Sequence, residues 1–220
     1  SVRRLTTDIM GSYASSPAWS PDGQSLAFVS NASGVNQIHA INVNGSNFRR
    51  LTQTNADAID PAWSPDARQI AYSSSENGGF EIFVMNSDGS NPRRLAREDG
   101  ADSDSPAWSP DGTEIAFAAN SGSGDILIVN VTSGETRVLT GNESAFASSP
   151  AWSADGSALV YTLSPRNEQS IWLIDANGNG LQRLTDGINE DIFPVWGAPE
   201  QAAVVIQPTA IPPSCPGAAT

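Results

Sequence analysis

The stretch Pro17-Ala18-Trp19-Ser20-Pro21-Asp22-Gly23 decides the fold, because its first three residues recur at regular intervals along the chain. The Pro-Ala-Trp triplet recurs at 61–63, 106–108 and 150–152, and Pro194-Val195-Trp196 is a fifth copy. Successive tryptophans lie 44, 45, 44 and 44 residues apart. A fixed period of this length is the signature of a repeat architecture. One equivalent position therefore holds five of the six tryptophans, namely Trp19, Trp63, Trp108, Trp152 and Trp196.

Each repeat predicts four short strands. The Pro-Ala-Trp strand leads into a turn in which proline fixes φ, aspartate bonds its own backbone and glycine accepts a positive φ. In the first repeat, apolar strands follow at 26–29 and 38–41, and an Asn44-Gly45 hairpin turn precedes a fourth strand at 49–52. No segment of ten or more residues has a helical period. The pattern predicts an all-β fold, the β-propeller, with one blade per repeat.

The two termini predict how the propeller closes. Residues 17–185 contain four complete blades, residues 2–6 read as an outermost strand, and residues 194–196 and 203–206 read as two innermost strands. We predict a five-bladed propeller over 1–207, whose fifth blade is assembled from both termini and lacks its third strand. The high proline content of residues 208–220 predicts an extended tail. At ~3.1 Å per residue, a polyproline-like arm of this length reaches about 40 Å.

The incomplete fifth blade and the proline-rich tail are the predicted interaction sites. The tail has two candidate docking places, namely its own propeller or a neighbouring copy of the chain by strand addition. The N-terminal strand would protect an edge that could otherwise template aggregation. The predicted interaction residues are Val2, Arg3, Arg4, Leu5, Ile211, Pro212, Pro213 and Cys215.

Composition excludes several classes of partner. The chain has 24 acidic residues against 11 basic residues, all arginine, and a net charge of −13, so it repels nucleic acid and anionic membranes. Its longest apolar run, 202–206, is too short for a membrane helix. Cys215 is the only cysteine, so no internal disulfide can form. The chain begins at Ser1 without an initiator Met, which indicates a removed leader or a fragment. Scarce cysteine, no lysine and abundant Asn, Ser, Thr and Gly favour an extracytoplasmic location.

Catalytic signatures are missing from the sequence. The single histidine, His39, aligns with Phe83, Leu127 and Trp172 of the other repeats, so we interpret it as a packing residue. No Gly-x-Ser-x-Gly elbow, His-Glu-x-x-His motif or dinucleotide fingerprint occurs. We therefore expect no enzyme activity and no cofactor. The repeated tryptophans could form a ligand-stacking ring, but packing between adjacent blades is the simpler interpretation.

Acidic residues concentrate on one predicted face. Loops that join blades, together with those joining the second and third strands, carry 15 of the 24 acids. This face is either a solvated surface or a docking face for a basic partner. Clustered carboxylates can also hold calcium weakly, and the candidate ligands are Asp99, Asp102 and Asp104.

The repeats resemble those of the TolB-like (WD40-like PD40 repeat) β-propeller family. The resemblance rests on Pro-Ala-Trp-Ser-Pro-Asp-Gly, on Ile-Ala-Phe at 115–117 and on Arg-Leu-Thr at 50–52, and it covers about 1–207. It implies a rigid, non-enzymatic interaction scaffold outside the cytoplasm. The family includes periplasmic partner-binding propellers of six or more blades and propellers fused to α/β-hydrolase peptidases.

Two functional hypotheses follow. The first is a non-catalytic, extracytoplasmic interaction module that binds other copies of itself, up to a filament, through its tail and incomplete blade. The alternative is an accessory propeller that gates a hydrolase or peptidase, or a TolB-like scaffold that binds a different protein.

Overall fold

Four blades account for most of the described chain. The computed structural model describes residues 4–6, 13–121, 123–141, 145–165, 168–188 and 190–196. Within these residues it contains sixteen β-strands and no helix. The strands form four separate four-stranded sheets, in each of which consecutive strands pair antiparallel. The predicted all-β propeller with four complete blades is confirmed.

The strand bounds follow the sequence repeat. The first blade consists of β1 (Ala14–Trp19), β2 (Ser25–Ser30), β3 (Gln37–Asn42) and β4 (Arg49–Arg50). The second consists of β5 (Ala58–Trp63), β6 (Gln69–Ser74), β7 (Glu81–Asn86) and β8 (Arg93–Ala96). The third consists of β9 (Asp102–Trp108), β10 (Glu114–Ser121), β11 (Ser123–Asn130) and β12 (Thr136–Val138). The fourth consists of β13 (Ala145–Trp152), β14 (Ala158–Pro165), β15 (Ser170–Asp175) and β16 (Gln182–Arg183).

The middle strands of the second and third blades are buried on both faces because each of these blades lies between two neighbours. In β7, residues 81–85 are all buried, although consecutive side chains point to opposite faces of the sheet. The continuous apolar runs of the sequence, bounded by turns, have this origin. The outermost strands are shorter, and in β8 Arg93 and Arg94 are exposed. Charged residues on an edge strand oppose pairing with foreign strands.

Small and large side chains alternate across the junctions between blades. Between the first and second blades, Ala27 and Ala40 meet the larger Tyr72 and Phe83 in one buried cluster. The same arrangement places Ala71 opposite Phe117 at the next junction and Ala116 and Ala118 opposite Tyr161 at the third. Close packing of this kind fixes the spacing between adjacent blades.

The turn after each tryptophan is held by its own side chains. In the fourth blade the Ser153 hydroxyl donates to Asp155 Oδ1 over 2.7 Å, and the Ser157 backbone N–H donates to the same oxygen over 3.0 Å. These hydrogen bonds lower the pKa of Asp155 to about 2. Gly156 follows with a φ of 72°, which is the left-handed region that favours glycine.

The fifth blade is described only at its start. Residues 194–196 lie beside the fourth blade, where Trp196 donates to the Ala151 carbonyl. The predicted strand at 203–206 and the predicted tail at 208–220 lie outside the described residues. The division into a propeller over 1–207 and a tail therefore stays a prediction.

Replacing Trp108 with alanine should lower the free energy of unfolding by about 3–5 kcal/mol, because its ring packs against the cluster between the second and third blades. Trp19→Ala is the matched control, since Trp19 occupies the same repeat position but is 61% exposed. Urea denaturation of the dilute chain measures both values. Equal losses for the two variants would contradict the assignment of Trp108 to a blade junction.

Candidate protein-interaction surface

One hydrogen bond is repeated at every junction between consecutive blades. The indole N–H of a tryptophan donates to the backbone carbonyl of the residue that precedes the tryptophan of the previous blade. This bond joins Trp63 to Ala18 over 3.2 Å, Trp108 to Ala62 over 3.1 Å, Trp152 to Ala107 over 3.1 Å and Trp196 to Ala151 over 2.9 Å. The structure thus places four of the five repeated tryptophans between adjacent blades.

The fifth tryptophan is different. Trp19 is 61% exposed, whereas Trp152 is 9% exposed at the same position of its blade. The reason is the order of the blades, since no described blade precedes the first. Among the described residues, the Trp19 indole has no hydrogen-bond acceptor.

The other end of the array also exposes apolar side chains. Beyond β16, Ile188 is 77% exposed, Phe193 is 71% exposed and Val195 is 86% exposed. Trp196 is 42% exposed even though its indole bonds to the fourth blade. Apolar residues of this size in one short segment form a patch of the kind that marks protein-binding sites.

Leu5 lies against the unpartnered face of the first blade. It contacts the buried cluster of Phe28 and Ile41, and together they line a groove of about 260 Å³. Leu51 and Leu139, at the corresponding positions of the first and third repeats, are buried in the clusters shared with the next blade. Leu5 therefore occupies the place of an outer strand that precedes the first blade, although residues 4–6 form no strand.

The remaining predicted interaction residues divide between described and undescribed parts of the chain. Arg4 is exposed. The others lie outside the described residues, namely Val2, Arg3, Ile211, Pro212, Pro213 and Cys215. Their roles stay predictions.

A central channel of about 610 Å³ is lined by the prolines of all five motifs and by the residue that precedes each proline. The residue before each proline has a positive φ of 47° to 55°, and in each complete blade the strand pairing shifts at this point. Positive φ is uncommon for residues other than glycine, so the motif carries a strained bulge at the channel. These residues are Ser16, Asp60, Ser105, Ser149 and Phe193.

Asp60 connects three blades at the channel. Its carboxylate accepts a hydrogen bond from the Ser16 hydroxyl over 3.2 Å and another from the Ser105 backbone N–H. Burial raises the pKa of Asp60 despite these two bonds. Burial also raises the pKa of Asp104, to which the Asn120 amide donates over 2.7 Å.

The candidate calcium ligands do not converge. Asp99 pairs with Arg97 at 3.4 Å, Asp102 accepts the Phe80 backbone N–H over 2.8 Å, and Asp104 is bound by Asn120. Within the described ranges, no group of three or more His, Cys, Asp or Glu residues could hold a metal ion. The structure therefore does not support a cation site at Asp99, Asp102 and Asp104, because each carboxylate serves a different local contact.

His39 lies within an aromatic stack. It is buried, its ring centroid lies 5.9 Å from that of Phe28 and 5.4 Å from that of Phe48, and the two phenylalanine rings are 6.4 Å apart. Burial lowers the pKa of His39, the nearby positive charge of Arg50 lowers it further, and the contact of Nδ1 with the Gln37 carbonyl opposes both. A neutral, enclosed imidazole agrees with the packing role inferred from its alignment with Phe83. The contact with Phe48 had no signal in the repeat pattern.

The fold and these contacts define a class of protein, the β-propeller, here with exposed apolar side chains at both ends of the described blade array. Within the described residues, no helix is long and apolar enough to span a membrane. The family model for PD40, the TolB beta propeller domain, matches residues 1–140 and 98–207. The chain belongs to this family, as the repeat motifs indicated.

Solved structures agree with that assignment. TolB from Agrobacterium tumefaciens is 25% identical, with a TM-score of 0.72 over 83% of this chain and 65% of that chain. TolB from Acinetobacter baumannii is 25% identical, with a TM-score of 0.69 over 79% of this chain and 43% of that chain. Puromycin hydrolase is 16% identical, with a TM-score of 0.63 over 81% and 30%, a likeness of fold alone. The chain thus spans less than two thirds of both TolB proteins. No curated protein matches the sequence.

Replacing His39 with phenylalanine should remove a pH dependence of stability. The unfolded imidazole takes up a proton near its ordinary pKa of about 6.5, while the buried imidazole resists protonation. The unfolded state then binds more protons, so the free energy of unfolding falls as the pH falls from about 7 through that range. His39→Phe should lose less stability than the parent chain between pH 7.5 and pH 5, as measured by urea denaturation. Parallel pH profiles for both proteins would contradict a neutral His39.

Proposed function

We propose that the chain is a non-catalytic protein-interaction module that works outside the cytoplasm and associates with copies of itself. The observation that carries this proposal is the exposure of both ends of the blade array. Trp19 and Val195 are 61% and 86% exposed, whereas the equivalent residues at the internal junctions are buried or half-buried. Repeat arrays need polar terminal repeats to stay soluble, and apolar ends favour association.

The predicted tail is long enough to contribute to this self-association. Residues 208–220 can extend about 40 Å as a polyproline-like arm, far enough to contact a neighbouring propeller. Ile211, Pro212, Pro213 and Cys215 are the tail residues that we expect to make the contact, and Val2, Arg3, Arg4 and Leu5 are the expected N-terminal partners. The incomplete fifth blade would receive the arm in place of its missing strand. Assembly into a filament is the furthest outcome of such an arrangement.

Several observations support a binding role over a catalytic one. The only histidine is buried against two phenylalanine rings, where it cannot serve as a general base for an open site. The sequence has no nucleophile elbow. Net charge of −13 favours protein partners, including basic ones, over nucleic acid. Scarce cysteine and membership of the TolB propeller family support the extracytoplasmic location.

A second candidate is an accessory propeller of a hydrolase or peptidase. The fold likeness to puromycin hydrolase favours it, because this chain corresponds to 30% of that enzyme. A propeller in this role would cover the entrance of a separate catalytic domain. A third possibility within the binding class is a scaffold for a different protein, as in TolB-like propellers. An α/β-hydrolase segment in the same gene product would favour the accessory role.

Deleting residues 208–220 should weaken self-association. We expect the mass of the full chain in sedimentation equilibrium to rise with concentration, and the deletion to raise the half-association concentration at least tenfold. A chain with the tail residues in scrambled order keeps the length and composition and serves as the matched control. Cys215→Ser separates tail docking from disulfide formation. Unchanged particle size after the deletion would contradict the role of the tail.

A further inference from the structure

The self-association proposed above rests on the exposed ends, and the repeat itself indicates how those ends meet. We propose that the first blade of one copy docks on the fifth motif, Pro194-Val195-Trp196, of a second copy. The Trp19 indole N–H of the first copy then donates to the Val195 carbonyl of the second. The contact repeats between chains the bond that joins consecutive blades within a chain.

The first step is the order of donors and acceptors. At each junction the acceptor residue and the donor tryptophan belong to consecutive copies of one motif, and the four donor–acceptor distances are 3.2, 3.1, 3.1 and 2.9 Å. The four bonds use the carbonyls of the first four motifs and the indoles of the last four. One indole, that of Trp19, and one carbonyl, that of Val195, remain. Among the described residues, neither has a hydrogen-bond partner.

The second step is the apolar surface around these two groups. Trp19 lies beside a groove lined by Leu26 and Pro17, and Phe48 on the same blade is 42% exposed. The other end presents Phe193 and Val195, which are 71% and 86% exposed. At an internal junction the corresponding indole of Trp152 is only 9% exposed, so a blade of this type is what covers such a tryptophan. The first blade therefore exposes the tryptophan of a junction, and the fifth motif exposes the apolar surface that would cover it.

The third step is the choice between closure within one chain and contact between two chains. Trp19 and Val195 are both described, yet no bond joins them within the chain. Pro17 and Pro194 line the same central channel, so the first and the fifth motif both face it. Both ends stay exposed at once in the single chain. A contact with a second copy buries Trp19 of one copy against Val195 of the other.

The geometry of such a contact determines the assembly. Different surfaces of the two copies meet, so the interface is heterologous, and an open assembly of any length still presents one free Trp19 and one free Val195 carbonyl. A heterologous contact produces a ring when the rotation closes and an open filament when it does not. A symmetric dimer, in which the same patch meets itself, does not follow from this arrangement.

Two end variants test the contact. Trp19→Ala removes the donor end, and Val195→Glu places a long charged side chain where the incoming indole must approach. Both residues are largely exposed, so each variant should keep the thermal unfolding temperature of the dilute parent chain. Each variant alone should shift half-association to at least tenfold higher concentration in sedimentation equilibrium. An equimolar mixture should form a dimer that grows no further, because each variant still offers one intact end.

The outcomes separate this contact from self-association in general. If the parent chain associates and both variants associate equally well, the contact is wrong while the self-association stands. If the mixture gains nothing over the separate variants, the interface is not heterologous and the contact is wrong. If Trp19→Ala lowers the unfolding temperature of the dilute chain as much as Trp108→Ala does, Trp19 is buried within its own chain. A parent chain that stays monomeric at all concentrations overturns both proposals.

Discussion

The hydrogen bond from a tryptophan indole to the carbonyl of the preceding blade is the contact on which the rest of the structure depends. It joins adjacent blades at the same place in every junction, next to the buried clusters of small and aromatic side chains whose close packing fixes the spacing between the blades. Because the donor and the acceptor belong to the same short motif, a single sequence pattern specifies both the blade and its attachment to the next. Among the described residues, the motif's indole and carbonyl lack a partner where the series of bonds stops, at Trp19 and Val195, and the proposed contact uses these two groups.

Much of this fold could be predicted because the same motif occurs five times in the sequence at an almost constant spacing. The spacing of the tryptophans predicted the blades, and the alignment of His39 with Phe83 predicted a packing side chain rather than a catalytic one. The bulges at Ser16 and Asp60 could not be predicted, since a residue before proline ordinarily adopts an extended conformation. The stack of His39 on Phe48 depends on a loop residue outside the repeat pattern.

Acidic residues that are close in sequence do not have to share a binding site. Asp102 and Asp104 are two residues apart on one strand, yet one binds the Phe80 backbone and the other an amide of a neighbouring strand. Their carboxylates stabilise loop and strand contacts, which leaves no common centre for a cation. Asp60 holds a comparable structural position, joining three blades at a partly buried site beside the channel. Charge along the sequence therefore indicates the acidic surface but not the geometry of a site.

The placement of donor and acceptor within one motif has a consequence for how this family changes its size. Gain or loss of a whole repeat of about 44 residues by gene duplication or deletion adds or removes one complete bond. An open array of any length built from this motif has one more indole and one more carbonyl than it has bonds. Blade number could then vary in evolution while the surfaces available for joining stayed the same.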